Sequence, residues 1–592
     1  MFEVTGHTSW LVGEQHINMN GDDSILHKLE LLYPRQAEHV RAELDQLLAE
    51  FARTCPVRPA PSPRFEPADL VLICYADHVQ DHGEKPLQTL RTFLHRYLDF
   101  GLAHDDHLRL HLLPFFPYSS DDGFAVSDYC SVNDRFGDWH DIQALADDYS
   151  LMFDLVLNHV SSQSEWFQRF RAGDSAYWHF FLSYAEDQVP DIANVFRPRT
   201  HPLLTRVHTA RGERLVWTTF GDDQIDLNYG NPAVLLEMVR ILLFYIERGA
   251  RVLRLDAIAF LWKKPGTRSL HLRETHAVVQ LLRQILATVA PDVWIITETN
   301  VPHRENTSYF GNGHDEAHLV YNFALPPLLL YSLMTGNASR LSAWAKSLAL
   351  PSDDVAFLNF TASHDGIGIT ALRGVFPDAE FTQVVDALRQ QVERQGGAVS
   401  MRAVAQPDGG TADVPYELNV AYLNAAGSVE RFLVSQAIAL ALKGVPAVYF
   451  GSLIGAENWA EGLTPKHKRG VNRQKFRLGE LTAELDDPST SKHRVYEAYR
   501  RLLQARRSEP LFSPHAEQEV LDLDTRLFAI VRSSTHGRLI AMHNVSEERV
   551  TIDGTTLGAA LGKSVAHDIL SGCIMRLEDD VMIGPYGVWW VK

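Results

Sequence analysis

The chain of 592 residues is poor in cysteine: Cys55, Cys74, Cys130 and Cys573 are its only four, at spacings that suit neither a disulfide framework nor a zinc knuckle. A reduced compartment is expected. No window reaches the ~20 apolar residues needed to span a bilayer, and no basic stretch followed by an apolar segment opens the chain. The expectation is a cytoplasmic protein with no membrane partner. Positive charge is scarce too, with 55 Lys and Arg against 74 Asp and Glu and a formal charge of -19. Phosphate backbones need basic patches, so nucleic acid is excluded as a partner. Without a secretion signal, the sequons Asn306-Thr307-Ser308 and Asn337-Ala338-Ser339 are chance matches.

What is present suits a large soluble enzyme. Apolar residues make up 45% and charged residues 22%, ordinary values for a globular chain whose length fits one large barrel with added modules. Ala37, Val40, Leu44, Leu47 and Leu48 recur at helical spacing, with Pro34 read as a first-turn residue. The proline-rich stretch 55–63 cannot continue that helix. An N-terminal helical extension and linker over 1–65 follows.

Eight short, nearly continuous apolar runs come next, at 70–75, 108–115, 151–157, 252–255, 293–296, 319–323, 356–360 and 445–450. Such runs mark strands buried on both faces. Helical patterns such as 235–246 and 276–290 lie between them, so the expected fold class is α/β, a (β/α)8 TIM barrel over 66–515. Two intervals, 160–231 after the third run and 366–428 after the seventh, are too long for crossovers and are expected as rim insertions walling a pocket. Short apolar segments separated by glycine turns over 516–592 read as a C-terminal antiparallel β-domain.

Asp256, Glu298 and Asp365 each follow an apolar run. Strand ends of a parallel barrel converge on one rim, so acids far apart in sequence meet there. Cleaving a glycosidic bond with retention needs a nucleophilic carboxylate and a protonated carboxylic acid about 5 Å apart. Arg254, two residues before Asp256, shares its face and should keep that carboxyl ionised. Glu298 needs a drier setting that raises its pKa. His159 and His364 also close strands, where neutral imidazoles can bond sugar hydroxyls. His104-Asp105-Asp106-His107 imitates a metal cluster, but its side-chain directions are uneven, and Gly311-Asn312-Gly313 is a turn rather than a phosphate cradle.

The stretches 154–159, 254–256, Glu298 and His364-Asp365 resemble the four sequence blocks of the α-amylase superfamily, in the same order. The resemblance implies Asp256 as nucleophile, Glu298 as acid/base and Asp365 as transition-state stabiliser. The words at 111–116, 121–124, 197–199, 256–260, 323–328 and 364–368 are similar to the sucrose-phosphorylase subgroup. That likeness implies double-displacement transfer of glucose to inorganic phosphate, giving α-glucose 1-phosphate. Carried over by position, Asp121, His159, His364 and Arg473 would grip glucose, Phe220, Gln224 and Phe260 would line the pocket, and Arg199 with Tyr416 would receive phosphate. Asn158 sits where many amylase relatives bind calcium, but the subgroup generally does without it, so no metal and no cofactor beyond phosphate as co-substrate is expected.

On the acceptor side, Asn300 and Glu417 depart from sucrose phosphorylases proper. Together with the words at 262–267, 297–303 and 414–419 they look like glucosylglycerate phosphorylases. The released acceptor would then be D-glycerate, with Arg199, Asn300 and Arg373 as donors to its carboxylate. Sucrose, sucrose 6-phosphate or glucosylglycerol phosphorolysis, plain α-glucoside hydrolysis and a silent carbohydrate-binding scaffold are the alternatives. The expected partners are a small-molecule glucoside and phosphate; monomer and homodimer both stay open.

Overall fold

The computed structural model describes residues 22–99, 104–405, 411–465 and 467–592. Residues 1–21 of the expected extension and 406–410 of the second insertion lie outside the described residues. The extension holds two helices, α1 (Asp22–Leu32) and α2 (Ala37–Thr54). The apolar pattern predicts only the second. Pro34 lies in the turn between them, not in a first helical turn; the Gln36 N–H closes that turn on the Tyr33 carbonyl at 2.9 Å. α1 buries Ile25 and Leu29, and α2 buries Val40, Leu44 and Phe51.

Eight parallel strands close into a barrel: β1 (Leu70–Cys74), β2 (Asp105–Leu112), β3 (Tyr149–Leu155), β4 (Ala250–Leu255), β5 (Trp294–Thr297), β6 (Leu319–Tyr321), β7 (Ala356–Phe360) and β8 (Val445–Tyr449). Each pairs with its sequence neighbour, and β8 closes on β1. All eight expected runs carry a strand. β2 differs most, running 105–112 rather than 108–115. The reason is polar: Asp105 at its start accepts from Arg507 at 2.7 Å and from the N–H groups of His107 and Leu108 at 3.1 Å. His107 bonds Asp69 at 2.9 Å and His104 bonds Asp106 at 2.9 Å, so the apparent metal cluster is divided among separate partners.

α3 (Pro232–Glu247) leads into β4 and α4 (Arg273–Val289) into β5; α1 packs on α4 and α2 on α3, which fastens the extension to the outer helical layer. Beyond the barrel, Glu517–Leu521, Leu527–Ser534, Gly537–Asn544 and Val588–Val591 form a four-stranded antiparallel sheet, with the helix Gly554–Leu561 beside it. Buried Arg532 joins this sheet to the barrel layer, donating to the Ala441 carbonyl at 2.9 Å and the Ser513 carbonyl at 2.6 Å. Among the described residues no helix is long and apolar enough to cross a membrane.

The stretch after β3 builds a three-stranded antiparallel sheet from Ser183–Tyr184, Leu204–Thr209 and Gly212–Trp217, and pairs His159–Ser161 with Gln224–Asp226. The stretch after β7 builds the helix Asp378–Arg394 and a hairpin of Ala398–Ala405 with Thr411–Asn419. Lys263 fastens the first of these to the rim. Its ammonium, 2% exposed, lies 2.9 Å from Asp226 and 2.7 Å from Asn158. A buried lysine there satisfies both oxygens with a single charge. Replacing Lys263 with Met leaves Asp226 as an uncompensated buried charge, costing about 3–5 kcal/mol. The thermal midpoint of K263M should fall accordingly; an unchanged midpoint would remove Lys263 as the fastening.

Candidate active site

Strand register places the acids. Arg254 of β4 pairs with Asp154 of β3, and Leu255 pairs with Thr297 of β5. Asp256 and Glu298 are the next residues on these adjacent strands, so they leave the barrel at one height. The Asp256 N–H still bonds the Leu155 carbonyl and the Glu298 N–H the Leu255 carbonyl, each at 3.2 Å. Ala257 then turns through φ 51°, and its N–H donates to Glu298 Oε2 at 3.2 Å.

Arg254 stands beneath them, its side chain 3% exposed. One guanidinium nitrogen lies 2.5 Å from Asp154 and 2.8 Å from Asp256; another lies 3.9 Å from Glu298 and 4.0 Å from Asp365. Asp365 meets Arg469 at 2.7 Å and Arg473 at 3.9 Å. Against burial, which raises it, Arg469, Arg254 and Arg473 hold Asp365 well below the usual carboxylate range.

Burial pushes both Asp256 and Glu298 up to about 7, with Arg254 opposing. The sequence reading has Arg254 keeping Asp256 ionised; the ion pair is present, but burial outweighs it. Because the two carboxyls rise together, distance decides which of them holds a proton near neutrality. Asp256 is the one in direct contact with the guanidinium, so the proton belongs on Glu298.

These groups line a cavity of about 740 Å3, partly open to solvent. It also gathers Asp121, His159, Arg199, Phe220, Gln224, Phe260, Asn300, His364, Tyr416 and Glu417. Arg254 and Arg473 stand behind the wall rather than in it. On one side, His159 Nε2 lies 2.9 Å from the Phe124 carbonyl and 3.2 Å from Gln224, which reaches Asp121 at 3.5 Å. The His364 ring stacks on Phe124 at 4.8 Å. Burial lowers the pKa of both histidines, keeping the imidazoles neutral. Asp121 and Asp122 turn through left-handed φ of 52° and 48°, a conformation costing about 1–3 kcal/mol per residue. Arg473, at 3.5 and 2.8 Å from their carboxylates, offsets that strain.

On the other side, Arg199 stacks between Phe220 and Tyr416, 5.8 and 5.7 Å from the ring centroids. Glu417 lines the cavity, yet its carboxylate is already engaged by the Gly366 N–H at 3.0 Å and by Arg469 at 2.9 and 3.2 Å. It holds Arg469 rather than offering free oxygens. Gly368 is a glycine for space: a Cβ there would stand 2.2 Å from the Asn300 amide nitrogen. Asn300 Oδ1 and His364 Nδ1 are buried without a protein partner. Arg373, a candidate donor on sequence grounds, is exposed, lies outside the cavity and stacks on Phe381 at 4.2 Å. Sequence reasoning missed Arg469, Phe323 and Thr299. Arg469 comes only four residues before Arg473, but nothing in the pattern marks it until Asp365 and Glu417 meet around it.

Comparison with known proteins agrees with this geometry. The family described as "Alpha amylase, catalytic domain" matches residues 108–350. The glucosylglycerate phosphorylase of Spirochaeta thermophila is 44% identical over 542 residues, covering 88% of this chain and 89% of that protein. The glucosylglycerate phosphorylase of Escherichia coli is 42% identical, covering 89% and 92%. The sucrose phosphorylase of Agrobacterium vitis is 28% identical, covering 82% and 96%. The crystal structure of sucrose 6F-phosphate phosphorylase from Thermoanaerobacter thermosaccharolyticum superposes with a TM-score of 0.69 at 24% identity, covering 81% of this chain and 94% of that one. With three acids meeting at one rim of an amylase-type barrel and this identity over nearly the full length of its relatives, the chain belongs to the glucosylglycerate phosphorylase family.

Proposed function

We propose that this protein transfers glucose reversibly between 2-O-α-glucosyl-D-glycerate and inorganic phosphate, with net retention, giving α-D-glucose 1-phosphate and D-glycerate. The observation that carries the reading is the shared height of Asp256 and Glu298 above a single guanidinium, one carboxyl in direct contact with it and the other able to hold a proton.

In the first displacement, an Asp256 oxygen bonds to the anomeric carbon while the bond from that carbon to the glycerate oxygen breaks. Glu298 gives its proton to the departing oxygen. In the second, a phosphate oxygen attacks the same carbon, Glu298 takes up the phosphate proton, and the Asp256 ester bond breaks. Asp365, kept ionised by Arg469, faces the positive charge that develops on the ring and accepts from sugar hydroxyls. The glucosyl unit lies among Asp121, His159, Gln224 and His364, with Arg473 steadying the Asp121 turn. Arg199, beside Tyr416, receives the phosphate, and Asn300 with Arg469 supplies donors for the glycerate carboxylate.

The four cysteines stand unpaired, which suits the reducing cytoplasmic setting we propose. No metal or organic cofactor enters the reaction as proposed. Running the reaction backwards from glucose 1-phosphate with glycerate, glycerol, fructose and fructose 6-phosphate should give the fastest phosphate release with glycerate. A preference for any of the other three would replace the acceptor assignment.

Two further outcomes are expected. Asp256→Ala should keep the fold but lose essentially all turnover, a fall of at least about 10^4 in kcat, since removing a catalytic nucleophile costs on that order; near-normal turnover would reject the nucleophile. Raising pH strips the proton from Glu298, and lowering it protonates Asp256, so kcat/KM for phosphorolysis should be bell-shaped and centred near 7. A profile flat from pH 5 to 9, about two units either side of that centre, would show that the pair is not the nucleophile and the proton donor.

A further inference from the structure

Outside the cavity mouth lies a group of arginines that the reaction above does not use. Phe196, in the first insertion, has its ring 6.1 Å from that of the cavity-lining Phe260. Two guanidinium groups lie against it: Arg402, from the second insertion, at 5.1 Å from the ring centroid, and Arg268, from the segment after β4, at 5.6 Å. The Phe196 N–H donates to the Arg268 carbonyl at 2.9 Å, so the three segments meet at one point. Burial lowers the pKa of Arg402, and the repulsion of Arg373 and Arg268 acts in the same direction, with Tyr416 opposing.

These cations lack the partners that arginines elsewhere in the chain possess. Arg206, on the outer face of the first insertion, takes Glu186 at 2.8 Å and Glu213 at 2.9 Å. Among the described residues, Arg199, Arg268, Arg373 and Arg402 form no ion pair with a carboxylate and lie on aromatic rings instead. In a chain carrying 74 acids against 55 bases, unneutralised like charges drawn together at one opening create a local field of the opposite sign to the rest of the surface. Guanidiniums lying on an aromatic ring also keep their N–H edges free to donate to a planar or tetrahedral oxyanion.

We propose that Arg268 and Arg402, both against the Phe196 ring, form an outer anion site that captures inorganic phosphate at the cavity mouth and passes it inward to Arg199. The inference rests on the reading that phosphate is the co-substrate. It assigns Arg268 and Arg402 to capture, not to chemistry: their effect belongs in the rate of productive encounter and not in the bond-making steps. Glucose 1-phosphate, carrying the same oxyanion, uses the site in the reverse direction.

The test uses the full-length protein with α-glucosyl fluoride, a neutral donor that needs no glycerate, and measures glucose 1-phosphate formation against phosphate concentration at low and high salt. Arg268→Gln changes an exposed side chain, and Arg402→Gln a half-buried one. For each, kcat/KM for phosphate should fall about threefold to tenfold at low ionic strength, and the deficit should shrink as salt rises. Values of kcat, and of glucosyl fluoride hydrolysis without phosphate, should stay as in the unsubstituted protein, and Arg268→Lys should recover most of the loss. A variant-to-parent ratio of one at low salt, or a deficit that salt does not change, overturns the outer site while leaving phosphorolysis intact. Failure of the unsubstituted protein to respond to phosphate at all would instead reject the phosphorylase reading, and this site with it.

Discussion

The structure turns on one buried cation surrounded by too many acids. Arg254 serves Asp154 and Asp256 directly and lies within 4.0 Å of both Glu298 and Asp365. Removing several carboxylates from water would be prohibitive without this cation, and one cation cannot balance them all. The imbalance is settled in two ways. Arg469 and Arg473 are brought to Asp365, which is held ionised, while Asp256 and Glu298 share what remains and rise toward neutrality together. Electrostatic shortage thus supplies what a retaining mechanism requires, an ionised carboxylate beside a protonated one at the pH of the cell.

The barrel supplies the coordinates for that arrangement. Parallel register fixes Asp256 and Glu298 one residue beyond the Leu255–Thr297 pair, so their common height follows from backbone hydrogen bonding and not from side-chain adjustment. The insertions then add what strand ends cannot reach. The first brings Gln224 and Phe220, the second brings Tyr416 and Glu417, and Lys263 ties the first to the rim through Asp226 and Asn158.

Much of this was legible in the sequence because it depends on short-range periodicity. Eight apolar runs disclosed eight strands, and acids following three of them disclosed the rim. Arg254 and Asp256 could be placed on one face from their spacing of two. What stayed hidden depends on meetings across the fold. The short α1 presents too few turns for a periodic signal, which left Pro34 to be read as a helix start. Glu417 looks like an acceptor ligand in the sequence, but in space it is bound to Arg469, a residue 52 positions away. Arg373 looks like a cavity cation, but the second insertion carries it to the outside. The rise of Asp256 to about 7 could not be foreseen either, since the spacing that reveals its arginine says nothing about how dry the site is.

The most direct check is the anomeric configuration of the sugar phosphate at the moment it forms. Proton and phosphorus NMR on the earliest product of glucosylglycerate and phosphate should show only α-glucose 1-phosphate, as two successive inversions at one carbon require. Initial formation of the β-anomer would mean a single displacement and would contradict covalent capture by Asp256.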